Sequence, residues 1–468
     1  MTEKFDYEIL VIGAGPGGYE TAIKAAQLGK KTCIIEREAF GGTCLNVGCI
    51  PTKTLIKTAE VLTELKEAER FGITGIDKQA LKADMRLIQQ RKQKVVSTLV
   101  NGIKGLLRGN KVDILEGSAS FLDEHTLCVS TKSGDKKVSG ENIIIATGSS
   151  VWMPPFIELK GKNHILTSTE ALALETLPET VCVIGGGVIG VEFAYLLNSL
   201  GCSVTVLELT DHILPMVDRE VSEQARKRME KDGIHFCLGA KVSRVENDHV
   251  FFSQEGKEQA VKAEAVLMAV GRIPNTDGLK AETIGLAFEK KAIKVNEHLQ
   301  TTISHIYAIG DVNGKVMLAH TASHEGMVAL KHICGEQSKM VYEHIPSCIY
   351  LKPEIACIGL TEEQAGERCG AERIKIGRFR MAANGKSMVE GDTDGLFKVI
   401  VQAETGEILG AHLYGQHVTE MIGEISAAIA AEATAEEMIH AIHPHPTINE
   451  AMGEAFLAAW DGKAINAL

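Results

Sequence analysis

The chain is 468 residues long, 45% hydrophobic and 24% charged, a balance that excludes a disordered, collagen-like or coiled-coil architecture. With 49 basic against 61 acidic residues the net charge is −12, so no nucleic-acid partner is expected. Length suggests about three domains. The apolar run Val181–Val191 encloses three consecutive glycines and stops at Glu192, short of the ~20 residues a membrane span needs, so no span is expected. Met1–Glu8 shows neither an apolar signal core nor an Arg-rich leader, and a cytoplasmic location is expected. Eleven cysteines, an odd number, cannot form a fully paired disulfide framework. Cys182, Cys202, Cys237 and Cys357 sit singly in apolar runs and read as small buried hydrophobes in a reducing compartment.

In chain order, Glu8–Ile12 reads as a buried strand. It runs into Gly13-Ala14-Gly15-Pro16-Gly17-Gly18, a helix from Tyr19 to Leu28, and a second strand, Thr32–Ile35, that ends at Glu36. The same pattern returns: Val181–Ile184, then Gly185-Gly186-Gly187-Val188-Ile189-Gly190, a helix to Leu200, and Ser203–Leu207 ending at Glu208. Gly13 to Glu36 and Gly185 to Glu208 are both 23 positions apart. In each copy the first glycine makes the strand-to-helix turn. The second lets the backbone approach a pyrophosphate, and the third lets helix and strand pack closely. The helix start offers unpaired N–H groups to the phosphates, and the acid accepts from a ribose hydroxyl. One such fingerprint is weak evidence; two copies, each between a strand and a helix, point to two dinucleotide sites.

Other strands also end in glycine: Asn142–Ala146 before Thr147-Gly148, Val266–Val270 before Gly271, and Ile306–Ile309 before Gly310-Asp311. These read as strands returning to a nucleotide site. Beyond Ser347 the texture changes. Phe397–Gln402 and Ile408–Tyr414, joined around Thr405-Gly406, read as an antiparallel hairpin, followed by helices over Thr419–Ala431 and Ala435–Ala441. No low-complexity linker appears, so no swinging-arm domain is expected.

Between the first fingerprint and the following helix lies Gly41-Gly42-Thr43-Cys44-Leu45-Asn46-Val47-Gly48-Cys49-Ile50-Pro51-Thr52-Lys53. Residues five apart in a regular helix stand ~7.5 Å apart along the axis and ~140° around it. A disulfide needs Cα atoms within about 7 Å, so if these cysteines pair the loop must be irregular, with Gly48 supplying the freedom. Pro51 suits the first turn of a helix running through Thr54 to Ala68, which sets Cys49 at a helix start where a thiolate is stabilised. Two unpaired core cysteines remain open as a reading, as does half of a zinc site, although no second pair at metal spacing follows and no metal is expected. Lys53 is either a solvated charge or a buried cation with Glu192 as its partner.

Near the C-terminus, His443-Pro444-His445-Pro446-Thr447-Ile448-Asn449-Glu450 precedes a helical pattern to Trp460. An imidazole beside a carboxylate makes a general base near neutral pH. Thr447-x-x-Glu450 is equally a helix capping box, and either histidine can be the base.

Together, the Cys44–Lys53 segment, both fingerprints, Gly271-Arg272-Ile273-Pro274-Asn275, Gly310-Asp311, Met317-Leu318-Ala319-His320 and the terminal His-Pro-Thr-x-x-Glu resemble the pyridine nucleotide–disulfide oxidoreductases. The likeness spans essentially the whole chain and is strongest to the branch that oxidises dihydrolipoyl groups. It implies an α/β fold with two Rossmann-like domains, at 1–148 for FAD and 149–275 for NAD. A central domain at 276–346 would complete the FAD site, and a C-terminal α+β domain at 347–468 would form a homodimer interface. It implies FAD over Gly13, Gly15, Gly18 and Glu36, with Thr43, Lys53, Thr147, Gly148 and Ala319 around it and Asp311 on the ribityl chain. It implies NAD over Gly185, Gly187, Gly190, Glu208 and Gly271.

The resemblance further implies a redox disulfide between Cys44 and Cys49, with Lys53 facing the flavin. Cys44 would be the sulfur that exchanges with substrate. His445 would be the base, with Glu450 as its partner, both facing the disulfide of the other subunit. The implied partner is a lipoyl-carrying subunit or carrier protein of a multienzyme complex. Two related activities fit less well: a glutathione reductase usually takes NADPH, which Glu208 disfavours, and a mercuric reductase typically ends in a cysteine pair. A flavin-bearing sensor or a purely structural subunit needs no substrate base. The sequence departs from the family at Pro444, where a small residue is common, and at Thr321-Ala322-Ser323, where a lysine is common.

Glu208 repels a 2′-phosphate, and no arginine follows within Leu209–Ile213. The expected outcome is a kcat/KM for NADH at least a hundredfold above that for NADPH; comparable values in a steady-state assay would overturn this.

Overall fold

The computed structural model describes residues 5–161 and 164–466; the parts of the expectations that fall on 1–4, 162–163 and 467–468 lie outside them. The first sheet has the order Asp113–Glu116, Thr32–Glu36, Tyr7–Ile12, Gly134–Ile145, Thr126–Thr131, Ser118–Phe121. Its first four strands run parallel, with Ile9 against Thr32 and Asn142, while the last two form an antiparallel extension. Gly134–Ile145 serves both parts: its C-terminal residues pair with Tyr7–Ile12 and its N-terminal residues with Thr126–Thr131. Strand Ile306–Ala308 joins the same sheet, parallel to Ile143–Ile145. The expected central region therefore supplies a strand to the first nucleotide unit.

The near-continuous apolar run at Ile9–Ile12 is the mark of a strand covered on both faces. Alternation sorts its residues. Ile9 and Val11 pack with Ile34, Ile144 and the helix residues Ala22, Ala25, Val328 and Ala329. Leu10 and Ile12 pack with Cys33, Ile35 and the antiparallel residues Phe121, Leu127 and Val129.

The second unit repeats the plan. Its parallel sheet has the order His235–Cys237, Ser203–Leu207, Thr180–Ile184, Ala265–Met268, Ile165–Leu166. A four-stranded layer covers one face: Lys241–Glu246, His249–Gln254 and Lys257–Lys262 run antiparallel, and Glu158–Lys160 pairs parallel to Lys241–Glu246. A two-stranded ribbon, Ser149–Val151 with Arg272–Pro274, joins the two units. The C-terminal sheet is antiparallel, in the order Ser347–Ile349, Glu354–Gly359, Ile408–Gly415, Leu396–Gln402, Ile374–Arg380. Helices Val418–Ala430, Ala435–His440 and Glu450–Trp460 pack on it. Cys182, Cys202, Cys237 and Cys357 are buried, as their apolar settings predict. No helix among the described residues is long and apolar enough to cross a membrane.

Helix Arg219–Lys231 of the second unit docks on the C-terminal sheet through buried charges. Lys398, only 2% exposed, reaches Asp218 and Glu362 at 2.6 Å and Glu220 at 3.2 Å. Asp218 also caps that helix, its side chain accepting from the Glu220 N–H. At the other end Arg228 meets Asp232 at 3.0 Å, Asp392 at 3.5 Å and Asp394 at 3.6 Å. Removing one partner of a buried pair leaves an uncompensated charge, at a cost of about 3–5 kcal/mol. Lys398→Ala is expected to lower stability by about that amount in chemical denaturation; an unchanged midpoint would show the cluster to be dispensable.

Candidate active site

Both parallel sheets end in a tight turn whose geometry needs glycine. At Gly13 (φ +103°) an added Cβ would stand 2.3 Å from the Ala146 carbonyl oxygen, and at Gly185 (φ +111°) 2.4 Å from that of Ala269. The third glycines are tighter still: a Cβ at Gly18 or Gly190 would lie 1.9 Å from the carbonyl oxygen of Gly13 or Gly185. The second glycines behave otherwise. Around a Cβ at Gly15 or Gly187 there is nothing within 4 Å, and both residues line one cleft. Protein packing does not demand glycine at these two positions; space for a ligand against the bare backbone does.

The longer helices that start at this cleft leave their first amides without a side-chain acceptor. Those beginning at Pro16, Cys49, Val188 and Ala319 carry no side-chain cap. Asp84, Thr167, Asp218, Thr361, Asn384 and Thr434 cap other helices with side-chain oxygens, among them the short one at Ser168 that also borders the cleft, while the helices at Val418 and Glu450, outside it, are uncapped. Unsatisfied N–H groups together with the positive helix end suit phosphates. Glu36 and Glu208 hold the loops in place. The Ala14 N–H donates to Glu36 Oε2 at 2.7 Å, and the Gly186 N–H to Glu208 Oε2 at 2.5 Å. The other oxygen of Glu208 accepts from the N–H and hydroxyl of Thr210.

The cleft measures about 2080 Å³, well beyond the roughly 300–1,000 Å³ of an ordinary small-molecule site. It runs from one fingerprint to the other and takes in Thr43, Cys44, Cys49, Lys53, Thr147, Gly148, Gly271, Asp311 and Ala319. Open second glycines, free amides that donate and two fixed carboxylates that accept form a set of groups that fits FAD at the first loop and NAD at the second.

The cysteine segment crosses this cleft. Its helix breaks at Gly48, between Gly42–Val47 and Cys49–Glu67, where a Cβ would stand 2.8 Å from the Thr43 carbonyl oxygen. The break is the irregularity expected at Gly48, and it sets Cys49 at the start of the second helix. Both cysteines are free thiols here and line the cleft, Cys44 half-buried and Cys49 exposed. The hydrogen bond from Cys44 draws the Cys49 thiol down to about 7, with Lys53 assisting and burial opposing. The hydrogen bond to Cys49, and then burial, push the Cys44 thiol far up. Lys53 is no solvated charge. Its Nζ lies 2.9 and 2.8 Å from the two oxygens of Glu192, which is 3% exposed, and 4.6 Å from the centre of the Tyr350 ring. The Tyr350 N–H also donates to Glu192, at 3.1 Å.

Asp311 accepts from the Ser149 hydroxyl, and Arg272 donates to that same oxygen at 2.7 Å and to the Ser149 carbonyl at 2.6 Å. The motif had marked Arg272, but its grip on Ser149 and Asp311 had no sequence signal. Tyr350 likewise had none.

His445 and Glu450 stand apart from the rest. His445 Nδ1 is 2.9 Å from Glu450 Oε1, and the imidazole is 79% exposed. Among the described residues, none beyond Tyr350 lines the cleft. Glu450 also accepts from the Thr447 N–H at 2.9 Å, but the helix starts after Asn449, which offers no side-chain cap, so the expected capping box is only half made. His443, the alternative base, is committed elsewhere: its Nε2 meets Glu424 at 3.0 Å, and that hydrogen bond raises its pKa. Pro444 contributes its carbonyl to the Thr447 hydroxyl, and the Thr321 hydroxyl is buried with no partner.

Residues 7–326 match the sequence profile of the pyridine nucleotide-disulphide oxidoreductases, and residues 345–456 match that of their dimerisation domain. A dihydrolipoyl dehydrogenase of Bacillus subtilis is 42% identical over 477 aligned positions, covering 98% of this chain and 99% of its own. The mitochondrial dihydrolipoyl dehydrogenase of Pisum sativum is 39% identical, covering 97% and 91%. Among solved structures, the HOCl-induced flavoprotein disulfide reductase RclA of Escherichia coli superposes with a TM-score of 0.84 at 30% identity, covering 96% of this chain and 99% of its own.

In the dithiol form, thiolate absorbance or alkylation of Cys49 is expected to rise through pH ~7 rather than near the ordinary value of about 9. Cys44→Ala, which removes the largest stabilising hydrogen bond, is expected to move that midpoint upward; an unmoved midpoint would show that Cys44 does not tune Cys49.

Proposed function

The chain belongs to the pyridine nucleotide-disulphide oxidoreductases, and we propose that within this family it oxidises dihydrolipoyl groups on a carrier protein with NAD⁺ as acceptor, passing electrons through a Cys44–Cys49 disulfide. The single observation that carries the assignment is the placement of Cys44 and Cys49, with Cys49 at a helix start near the Glu192-held Lys53, in a cleft that also holds both nucleotide loops. Bound in that cleft, FAD supplies a two-electron acceptor for the enzyme dithiol and NAD the final hydride acceptor.

The chain's own residues account for the thiol chemistry. His445, with Nδ1 turned to Glu450, has Nε2 free to take the proton from a substrate S–H. The substrate thiolate attacks Cys44 Sγ and breaks the bond to Cys49, which leaves as a thiolate. The substrate's second sulfur then displaces Cys44 and closes the cyclic disulfide, its proton passing to the departing Cys44 sulfur while His445 keeps the first. Substrate has lost two electrons and the enzyme pair has gained them. The helix start, Lys53 and the Cys44 thiol hold the Cys49 charge. Lys53 is held in turn by Glu192.

A homodimer supports this reading. The chain carries the family's dimerisation domain, and its own His445 does not line its own cleft, so a second copy brings the base to the disulfide. The four-part division at 148, 275 and 346 and a cytoplasmic setting belong to the same proposal.

The test is NADH formation from dihydrolipoamide. His445→Gln is expected to reduce kcat by about 10²–10⁴, the usual contribution of a general base, and Cys44→Ser to abolish turnover. Dihydrolipoamide oxidation at the native rate by Cys44→Ser, or preferential NADPH oxidation by oxidised glutathione, would overturn the assignment.

A further inference from the structure

The chain holds two tryptophans, and one of them, Trp152, stands in the cleft. It follows strand Ser149–Val151, in the crossing between the two nucleotide units, and its N–H donates to the carbonyl of Gly271 at 3.0 Å. Phe156 lies edge-on to it, with ring centroids 5.8 Å apart and planes at 69°, and also lines the cleft. The segment around these rings is anchored: Pro154 is buried, and Ile157, 6% exposed, packs with Ile184, Leu207 and Val242. Those three residues belong to the second nucleotide unit, and Ile184 and Leu207 directly precede Gly185 and Glu208. A rigid mount thus presents two aromatic rings beside the second fingerprint, and Phe156 is 66% exposed. A large apolar ring left bare at the mouth of a site, on a fixed backbone, is suited to covering a planar ligand group.

We propose that Trp152 and Phe156 form an aromatic lip that stacks on a base of the bound pyridine nucleotide and sets its affinity. The inference rests on the reading that the second loop takes NAD, and it adds the residues that hold the cofactor from its open side. The fingerprint glycines supply the phosphate contacts and Glu208 the ribose contact. The lip supplies apolar contact that is indifferent to the dihydrolipoyl substrate.

Removing a stacked aromatic weakens base binding by roughly five- to a hundredfold. In the FAD-loaded enzyme, Trp152→Ala and Phe156→Ala are expected to raise KM for NADH by that factor, with kcat at saturating NADH within about twofold of native. Trp152→Phe is expected to restore most of the affinity. Using ferricyanide as the electron acceptor makes the readout independent of any dihydrolipoyl chemistry, so a loss of dihydrolipoamide turnover alone fails the earlier reading and leaves this one standing. NAD⁺ is expected to quench Trp152 emission; Trp460, which packs against Lys375 at 4.2 Å outside the cleft, serves as the internal control. An unchanged KM for NADH in both alanine variants, or a loss of bound FAD in either, would overturn the proposal.

Discussion

Two contacts between glycines govern the arrangement of the cleft. At each fingerprint the helix glycine faces the turn glycine's carbonyl so closely that only hydrogen fits between them. This approach presses the helix start onto the strand end and directs its uncapped amides outward into one shared space. Each helix therefore gives up the local stabilisation that a Ser, Thr, Asp or Asn cap provides, typically about 1 kcal/mol. Six other helices of the same chain take that cap. Binding a polyanion restores the missing partners, and cofactor loading and stability are linked through the same groups.

The cysteine segment applies the same economy to charge. One helix break at Gly48 separates two thiols that are near neighbours in sequence, and their surroundings drive them in opposite directions. Cys49 gains a helix start, a lysine and a hydrogen bond; Cys44 gains burial and the role of donor. Lys53 stays in place because Glu192 occupies it from the second unit and Tyr350 covers it from the C-terminal region. Three parts of the fold thus meet on one ammonium group.

Much of this was legible in the sequence because local spacing encodes it. The duplicated strand–glycine–helix–acid pattern, the Gly48 break, the Cys49 helix start and the hairpin at Thr405-Gly406 each follow from residues close together in the chain. Glu192 as the partner of Lys53 was legible too, since a lone acid at the start of an apolar helix needs a cation. Other features lack such a signal. Lys398 is one alternating position of a strand, and nothing near it announces Asp218, which lies 180 positions away. Arg272, Ser149 and Asp311 meet only when the ribbon between the units forms. The aromatic pair Trp152 and Phe156 reads in sequence as two unremarked hydrophobes around prolines, and its exposure is visible only once the cleft exists.

The helix Arg219–Lys231 has a consequence for kinetics. It is moored at both ends, by Asp218 and Glu220 to Lys398 and by Arg228 to Asp392 and Asp394. A unit tethered twice to the sheet beside it has no free hinge along that edge. Any swing of this unit along that edge would first have to break one of these two anchors.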